Sequence, residues 1–419
     1  YYCGFKVNSG EYKLMGLAPY GLPKYKDIII KNLLDVKDDG SFKLNMRYFD
    51  YVSGLKMTNK KFKELFGEKE RQPDTDEIKQ FHMDIAASIQ SVIEEIILKI
   101  TKFIKNEYKI EHLCLAGGVA LNCVANGKIE KSNLFKKIWI QPAAGDAGGA
   151  IGSALAVWHT HLGNPKNNKT DNMQGGYLGP EFNDNETIST LEKLGAKYKV
   201  YKKYSDLTKF IAKQLSNEKT VGWFQGKMEF GPRALGNRSI LADPRSPNMQ
   251  KNLNLKIKYR ESFRPFAPAI LKEKIYDWFE TKNESPYMLL VSNLKKNKQL
   301  KLDTNQKKLF GIDKLNIKNS LIPSVTHVDY SARIQTVDKK TNPKFYQLIQ
   351  EFEKITGCPI LINTSFNIRG EPIVLSPEDA FNCFMGTDLD ILVINNIILH
   401  KIDQTENLII DYKTKYKLD

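Results

Sequence analysis

Cysteine is scarce and scattered: Cys3, Cys114, Cys123, Cys358 and Cys383 form no CxxC pair and no regular framework. That excludes a disulfide-stapled scaffold and points to free, buried thiols in a reducing, cytoplasmic setting. No apolar run reaches the roughly eighteen residues a membrane span requires. An initiator Met and a signal-peptide pattern are also missing from the opening Tyr1-Tyr2-Cys3-Gly4-Phe5, which reads as a fragment whose natural start lies upstream. The net charge of +15 lacks focus: lysines are spread among Asn- and Ile-rich segments, and the densest clusters (Lys295, Lys296, Lys298; Lys307, Lys308) fall in a polar loop. Nucleic-acid binding needs a basic patch with interleaved aromatics, so this charge argues against such a partner and for attraction of small anions.

What is present is α/β patterning. At 419 residues the chain is long enough for two domains or three. Over residues 81–106, Ile85, Ile89, Val92, Ile93, Ile96, Ile97, Ile100 and Ile104 recur at spacings of three and four, which predicts a long helix with one apolar stripe. A strand over 112–116 leads into Gly117-Gly118 and a helix from Asn122; a second over 138–142 leads into Gly145-Asp146 and a small-residue helix over 150–158. Strand, glycine loop and helix, twice over, predicts α/β architecture. The polar stretch 161–176 reads as a linker between domains 1–160 and 177–419. The second block shows helices over 207–216 and 344–356, strands over 220–224, 334–337, 359–363 and 391–394, a basic loop-rich segment to residue 268, and an aperiodic lysine-rich loop over 294–319.

Two regions carry candidate chemistry. Gly117 and Gly118 after a strand let backbone N–H groups approach a phosphate, and Asn122 offers a polar side chain beside them. A structural turn is the plain alternative. Asp146 on its glycine loop suits a metal or a polyphosphate, or else a helix N-cap. In the second block FGPRALGNR (residues 230–238) presents Arg233 and Arg238; KYRESFRPFAP adds Lys258, Arg260 and Arg264; THVDYSARIQTV adds His327 and Arg333; NTSFNIRGEPI adds Asn363, Ser365, Asn367 and Arg369. Their Phe, Pro, Ala and Gly neighbours imply burial, where a cation needs either an anionic ligand or internal partners, the candidates being Asp243, Glu261, Asp329 and Glu371.

The motifs KLMGLAPYG (13–21), LAGGVALN (115–122) and QPAAGDAGGAIGSAL (141–155) resemble the NodU/CmcH family of O-carbamoyltransferases. So does the stretch from Tyr177-Leu178-Gly179-Pro180 to LDILVINN at Asn396, so that the resemblance covers nearly the whole chain. It implies a partial actin-like ATPase (ASKHA) domain followed by a YrdC-like α/β domain. It implies that carbamoyl phosphate and ATP, with Mg2+, give a carbamoyl adenylate, and that the carbamoyl group passes to a hydroxyl of a small molecule or glycan. Arg233, Arg238, Asn363, Ser365 and Arg369 are expected to bind carbamoyl phosphate and ATP, with Met288 lining the pocket or simply filling core. Lys258 and Arg333 are expected as catalytic groups on the phosphate, and His327 as an acid–base group beside it. Gly117, Gly118 and Asn122 are expected to contact the adenylate, and Asp146 to bind Fe2+ or a similar divalent metal. The family's HxxxH metal motif has no counterpart among His82, His112, His159, His161, His327 and His400, so the metal ligands are incomplete here. The resemblance also implies a homodimer. Transfer to a tRNA threonyl-adenosine and a nucleotide-binding module without catalysis are the alternative readings.

Overall fold

Short β-branched runs build strands chiefly beyond residue 199. The computed structural model describes residues 1–166 and 171–405, with 408, 412 and 416. Residues 167–170 of the expected linker, and most of the chain beyond 405, lie outside the described residues. The strands are β1 (Leu34–Val36), β2 (Phe42–Leu44), β3 (His112–Leu115), β4 (Lys137–Ile140), β5 (Lys199–Val200), β6 (Val221–Phe224), β7 (Arg238–Ala242), β8 (Ala267–Leu271), β9 (Leu290–Asn293), β10 (Ser331–Val337), β11 (Ile360–Ser365), β12 (Ile391–Ile394) and β13 (Ile397–His400). Nine form one mixed sheet in the order β5-β13-β12-β6-β7-β11-β8-β10-β9. The pairs β6–β12 and β8–β10 are parallel and the other neighbours antiparallel. The chain is thus a mixed α/β protein.

The central strands β6, β7, β8 and β12 are buried at every position, which removes the alternation a half-exposed strand shows. That is why β7 (RSILA) is hidden inside the segment that reads as basic loop, and β8 (APAIL) begins unannounced at its end. The helix Pro343–Thr356 starts at Asn342, whose side chain accepts the Phe345 N–H, and ends at Gly357 with φ 70°. It buries Phe345, Leu348, Ile349 and Phe352, packing on β8, β11 and the helix Tyr204–Ser216. The lysine-rich stretch is less irregular than its composition suggests, because Asp303 caps a short helix, Thr304–Lys308.

The expected long helix spans Gln80–Tyr108, and the helices Glu11–Leu17 and Lys26–Leu33 pack along it. Their shared apolar core (Leu17, Tyr20, Ile29, Met83, Val92, Ile96) also takes in Phe263 from the far half of the chain. The two glycine loops follow β3 and β4, which among the described residues pair only with each other, in parallel. Ala120, Ile140 and Ala144 from these loops join the apolar cluster of the nine-stranded sheet. The helix Ala147–Ala156, by contrast, buries none of its residues. Cys114 on β3 is exposed, correcting the expectation that all five thiols are buried, although all five are free.

The helix Cys123–Lys131 keys the two halves together. Asn126 Nδ2 donates to the Ala120 and Leu289 carbonyls at 2.8 and 3.0 Å, and Glu130 Oε1 accepts from Thr281 Oγ1 and the Lys282 N–H. A Cβ on Gly127 would stand 2.2 Å from the Val291 carbonyl oxygen of β9. Helix propensity alone makes Gly→Ala favourable by about 1 kcal/mol. Gly127→Ala is instead expected to destabilise the protein by about 1–3 kcal/mol, as overpacking does, with the shift read from the urea midpoint; an unchanged or raised midpoint would remove this contact from the account.

Candidate active site

Four arginines converge from two loops and a strand. Arg233 precedes β7, Arg260 and Arg264 precede β8, and Arg333 lies on β10. Burial depresses Arg233 below its ordinary value, and the charges of Arg333 and Arg264 push it the same way. Arg260 is depressed by burial and then by Arg264 and Arg333, and Arg333 by burial with Arg264 adding to it. Guanidinium stays protonated through such shifts, so positive charge is concentrated where Arg264 is buried and Arg233, Arg260 and Arg333 are half-buried.

Most of the expected internal partners are elsewhere. Asp243 is engaged by Arg245, at 2.6 Å from Nη2 and 3.0 Å from Nε. Asp329 caps the Ser331 N–H, and Glu371 accepts from the Ile368 N–H and the Tyr412 hydroxyl. Of the four candidates, Glu261 alone faces the arginines, 3.6 Å from Arg264 and 3.6 Å from Arg369. One carboxylate does not balance this many cations.

The first half of the chain walls the cluster. Arg264 lies over the Tyr12 ring at 4.3 Å, Gly16 packs against Pro265, and the Tyr20 hydroxyl donates to the Phe263 carbonyl at 3.2 Å. Thus KLMGLAPYG closes one side. The Cys123 sulfur lies against the Arg333 guanidinium, and a Cβ on Gly231 would stand 3.0 Å from the Pro142 carbonyl oxygen. Gly117 N–H donates to the Ala144 carbonyl at 2.8 Å, linking the two glycine loops. What reads in sequence as two separate anion sites is one neighbourhood.

Several expected ligands are committed to the protein itself. Arg238 is fully buried; its Nη1 donates to the Gln225, Gly226 and Asn237 carbonyls, its Nη2 to Pro180, and it stacks 3.4 Å over Phe224. Glu229 holds the same loop by accepting from the Leu235 and Asn237 N–H groups at 2.7 and 2.8 Å. The ligand role expected of Arg238 gives way to a scaffolding one. Lys258 is buried, its ammonium caged by the Ser365 carbonyl and hydroxyl and by the Asn367 carbonyl and Oδ1, and burial pushes its pKa well down. Lys258 and Ser365 therefore shape the NTSFNIRG loop. Asn363 spends both amide hydrogens, on the Ala234 carbonyl at 3.1 Å and Gln335 Oε1 at 2.6 Å, so it has no donor left for phosphate. Asn122 caps the helix Cys123–Lys131 and exchanges hydrogen bonds with Gln90, which occupies the side chain expected to meet adenylate.

The others are placed differently. Arg369 is half-buried beside Glu261. Met288 is core, yet held at φ 57°, a strained backbone for a non-glycine residue next to the Leu289 contact of Asn126. Gly117, with φ 97°, and Gly118 are exposed, and a Cβ on either would meet open space, so these loops leave room for a ligand. Asp146 is exposed at the head of an exposed helix, and no group of three or more His, Cys, Asp or Glu among the described residues could hold a metal. The residues present do not fit a transition-metal centre, which needs three or four protein ligands. Cys123 and Gln335 escaped the sequence reading. Gln335 could have been found by strand period, since it lies two residues beyond Arg333 on β10.

His327 is buried between the halves. Its Nδ1 accepts the Val328 N–H at 2.9 Å, its ring meets Tyr20 edge-on at 5.1 Å, and Nε2 is buried without a hydrogen-bond partner among the described residues.

Comparison with known proteins agrees with the motifs. Family models described as Carbamoyltransferase N-terminus and Carbamoyltransferase C-terminus match residues 1–155 and 212–401. The chain belongs to the carbamoyltransferase family. Among its relatives are an uncharacterized protein of Synechocystis sp., 58% identical over 97% of this chain and 66% of that protein, and nodulation protein NolO of Bradyrhizobium diazoefficiens, 36% identical over 93% and 66%. An uncharacterized protein of Methanocaldococcus jannaschii is 34% identical over 95% of this chain and 70% of its own length. The chain thus spans just under two thirds of the first two relatives. A crystal structure of full-length HypF in the phosphate- and nucleotide-bound form matches 48% of this chain and 22% of that chain at 17% identity and a TM-score of 0.30, too low to support an argument.

Burial holds the His327 pKa below its ordinary 6.5, so on acidification the unfolded chain takes up this proton first. The resulting stability is present above the unfolded pKa and is lost as pH falls through the folded one. The urea midpoint is expected to drop between about pH 7 and pH 5 more steeply in the wild type than in His327→Gln; parallel curves would exclude His327 as the group responsible.

Proposed function

We propose that the chain forms carbamoyl adenylate from carbamoyl phosphate and ATP at the arginine cluster, for transfer of the carbamoyl group to a hydroxyl of a small molecule or glycan. The observation that carries this reading is the convergence of half-buried Arg233, Arg260 and Arg333 with buried Arg264, faced by Glu261 alone of the four candidate carboxylates. The family motifs supply the substrate class. In this reading the nine-stranded sheet and its helices make the YrdC-like domain, and the first 160 residues make part of the actin-like ATPase domain. The protein acts in the cytoplasm as a homodimer, and Mg2+ enters with ATP.

Water first cleaves carbamoyl phosphate to carbamate and phosphate. A carbamate oxygen then attacks the α-phosphorus of ATP, pyrophosphate departs, and carbamoyl adenylate is left. The acceptor hydroxyl finally attacks the carbonyl carbon and releases AMP. Guanidinium forks suit the phosphate oxygens at each stage because their paired donors match that geometry. The enclosing Tyr12, Gly16 and Cys123 segments limit water access, which matters because carbamate decomposes in water. Arg369 with Glu261 forms the rim of this site.

Function here opposes stability. Arg333→Met relieves like-charge repulsion, so without ligand it is expected to stabilise the fold by about 1–4 kcal/mol, the range seen when buried ionic groups are replaced by apolar ones. The same variant is expected to lose carbamoyl-phosphate-dependent release of pyrophosphate from ATP. Thermal unfolding and pyrophosphate release measured together decide it, and a variant that still releases pyrophosphate at the wild-type rate would refute the phosphate assignment.

A further inference from the structure

Two polar atoms next to the arginine cluster are buried without a hydrogen-bond partner: Arg233 Nε, a donor, and Asn363 Oδ1, an acceptor. The orientation of the Asn363 amide is fixed by its surroundings. The Leu235 carbonyl can only accept, so Gln335 must turn its Nε2 to it, which it does at 2.8 Å. Gln335 Oε1 is thereby left facing Asn363, which must present Nδ2, and the Ala234 carbonyl makes the same demand from the other side. A flipped Asn363 would set its oxygen against the Ala234 carbonyl oxygen. The leftover atom on this side chain, 1% exposed, is therefore an acceptor.

A buried acceptor without a donor is costly. It also repels phosphate oxygens, which carry no hydrogen. In a site otherwise built from guanidinium donors, it suits a ligand N–H. Arg233 immediately precedes Ala234, to which Asn363 is bonded, and its free Nε offers the complementary donor. We propose that Asn363 Oδ1 accepts a hydrogen bond from the amino group of the carbamoyl moiety while Arg233 Nε donates to its carbonyl oxygen, so that this pair selects a carbamoyl group over other acyl groups. The Gln335 amide is a positioning residue that keeps the selecting oxygen turned inward. This assignment rests on the carbamoyl-phosphate reading and adds to it the determinant of acyl selectivity.

The test compares phosphate release from carbamoyl phosphate and from acetyl phosphate, which replaces NH2 by CH3, in the presence of ATP and Mg2+. Wild-type protein is expected to favour carbamoyl phosphate in kcat/KM by about 10- to 100-fold, the cost of leaving one buried acceptor unpaired. Asn363→Leu is expected to bring the two values within about 3-fold by removing that acceptor. Arg233→Lys and Gln335→Leu are expected to slow both substrates while keeping most of the preference, because neither removes Oδ1. Should Asn363→Leu not fold, Asn363→Ser, which lacks the fixed acceptor, carries the same expectation. A wild-type preference that survives in the Asn363 variants, or that Gln335→Leu abolishes just as fully, would overturn the assignment. Wild-type protein active on both compounds without preference would also overturn it and leave the carbamoyl-phosphate reading standing. Wild-type protein that releases phosphate from neither would sink that reading and this one with it.

Discussion

Positive charge crowded into a partly enclosed site is the constraint on which the rest of the molecule depends. Burial depresses Arg233, Arg260 and Arg333, and the charge of Arg264 beside them pushes each the same way. Such a group persists only where the surrounding structure fixes it. Here Glu229 ties down the loop of Arg233 through backbone N–H groups, Asn254 Oδ1 accepts from Arg260 Nε, the Tyr12 ring faces Arg264, and the Cys123 sulfur meets Arg333. Each support comes from a different stretch of chain. The cluster and the union of the two halves therefore depend on each other.

The same economy explains why so many polar residues near the site serve the protein instead of a ligand. Arg238, Lys258 and Asn122 carry the donors that make them look like anion binders, but each has oxygen atoms of the chain within reach. Buried carbonyls must be satisfied, and long cationic side chains do this well. Charge type is a property of sequence, whereas the direction of a donor is a property of packing. Asn363 shows the difference within one side chain: its nitrogen supports the Ala234 loop and its oxygen is left over.

The β3–β4 side of the molecule is built differently. Two parallel strands, exposed glycine loops and a helix without a buried residue offer apolar surface at Val119, Trp139, Leu155 and Trp158. Asp146 stands at the head of that helix without metal-binding neighbours among the described residues. The arginine side is enclosed and densely bonded, so it supports a detailed chemical account, whereas the Asp146 side supports none.

Sequence by itself determined the α/β class, the long helix Gln80–Tyr108, the glycine loops after β3 and β4 and the arginine-rich stretches, because periodicity, glycine and charge act locally. It also carried the carbamoyltransferase family, since long contiguous motifs survive in the linear chain. It did not show β7 and β8, whose burial on both faces erases alternation. Only the tertiary structure decided that KLMGLAPYG, the Cys123 helix and the arginines lie together, that Asp243 and Glu371 are spent elsewhere, and which atom of Asn363 remains free. Those outcomes turn on hydrogen-bond directions between residues far apart in the chain, and no local pattern encodes them.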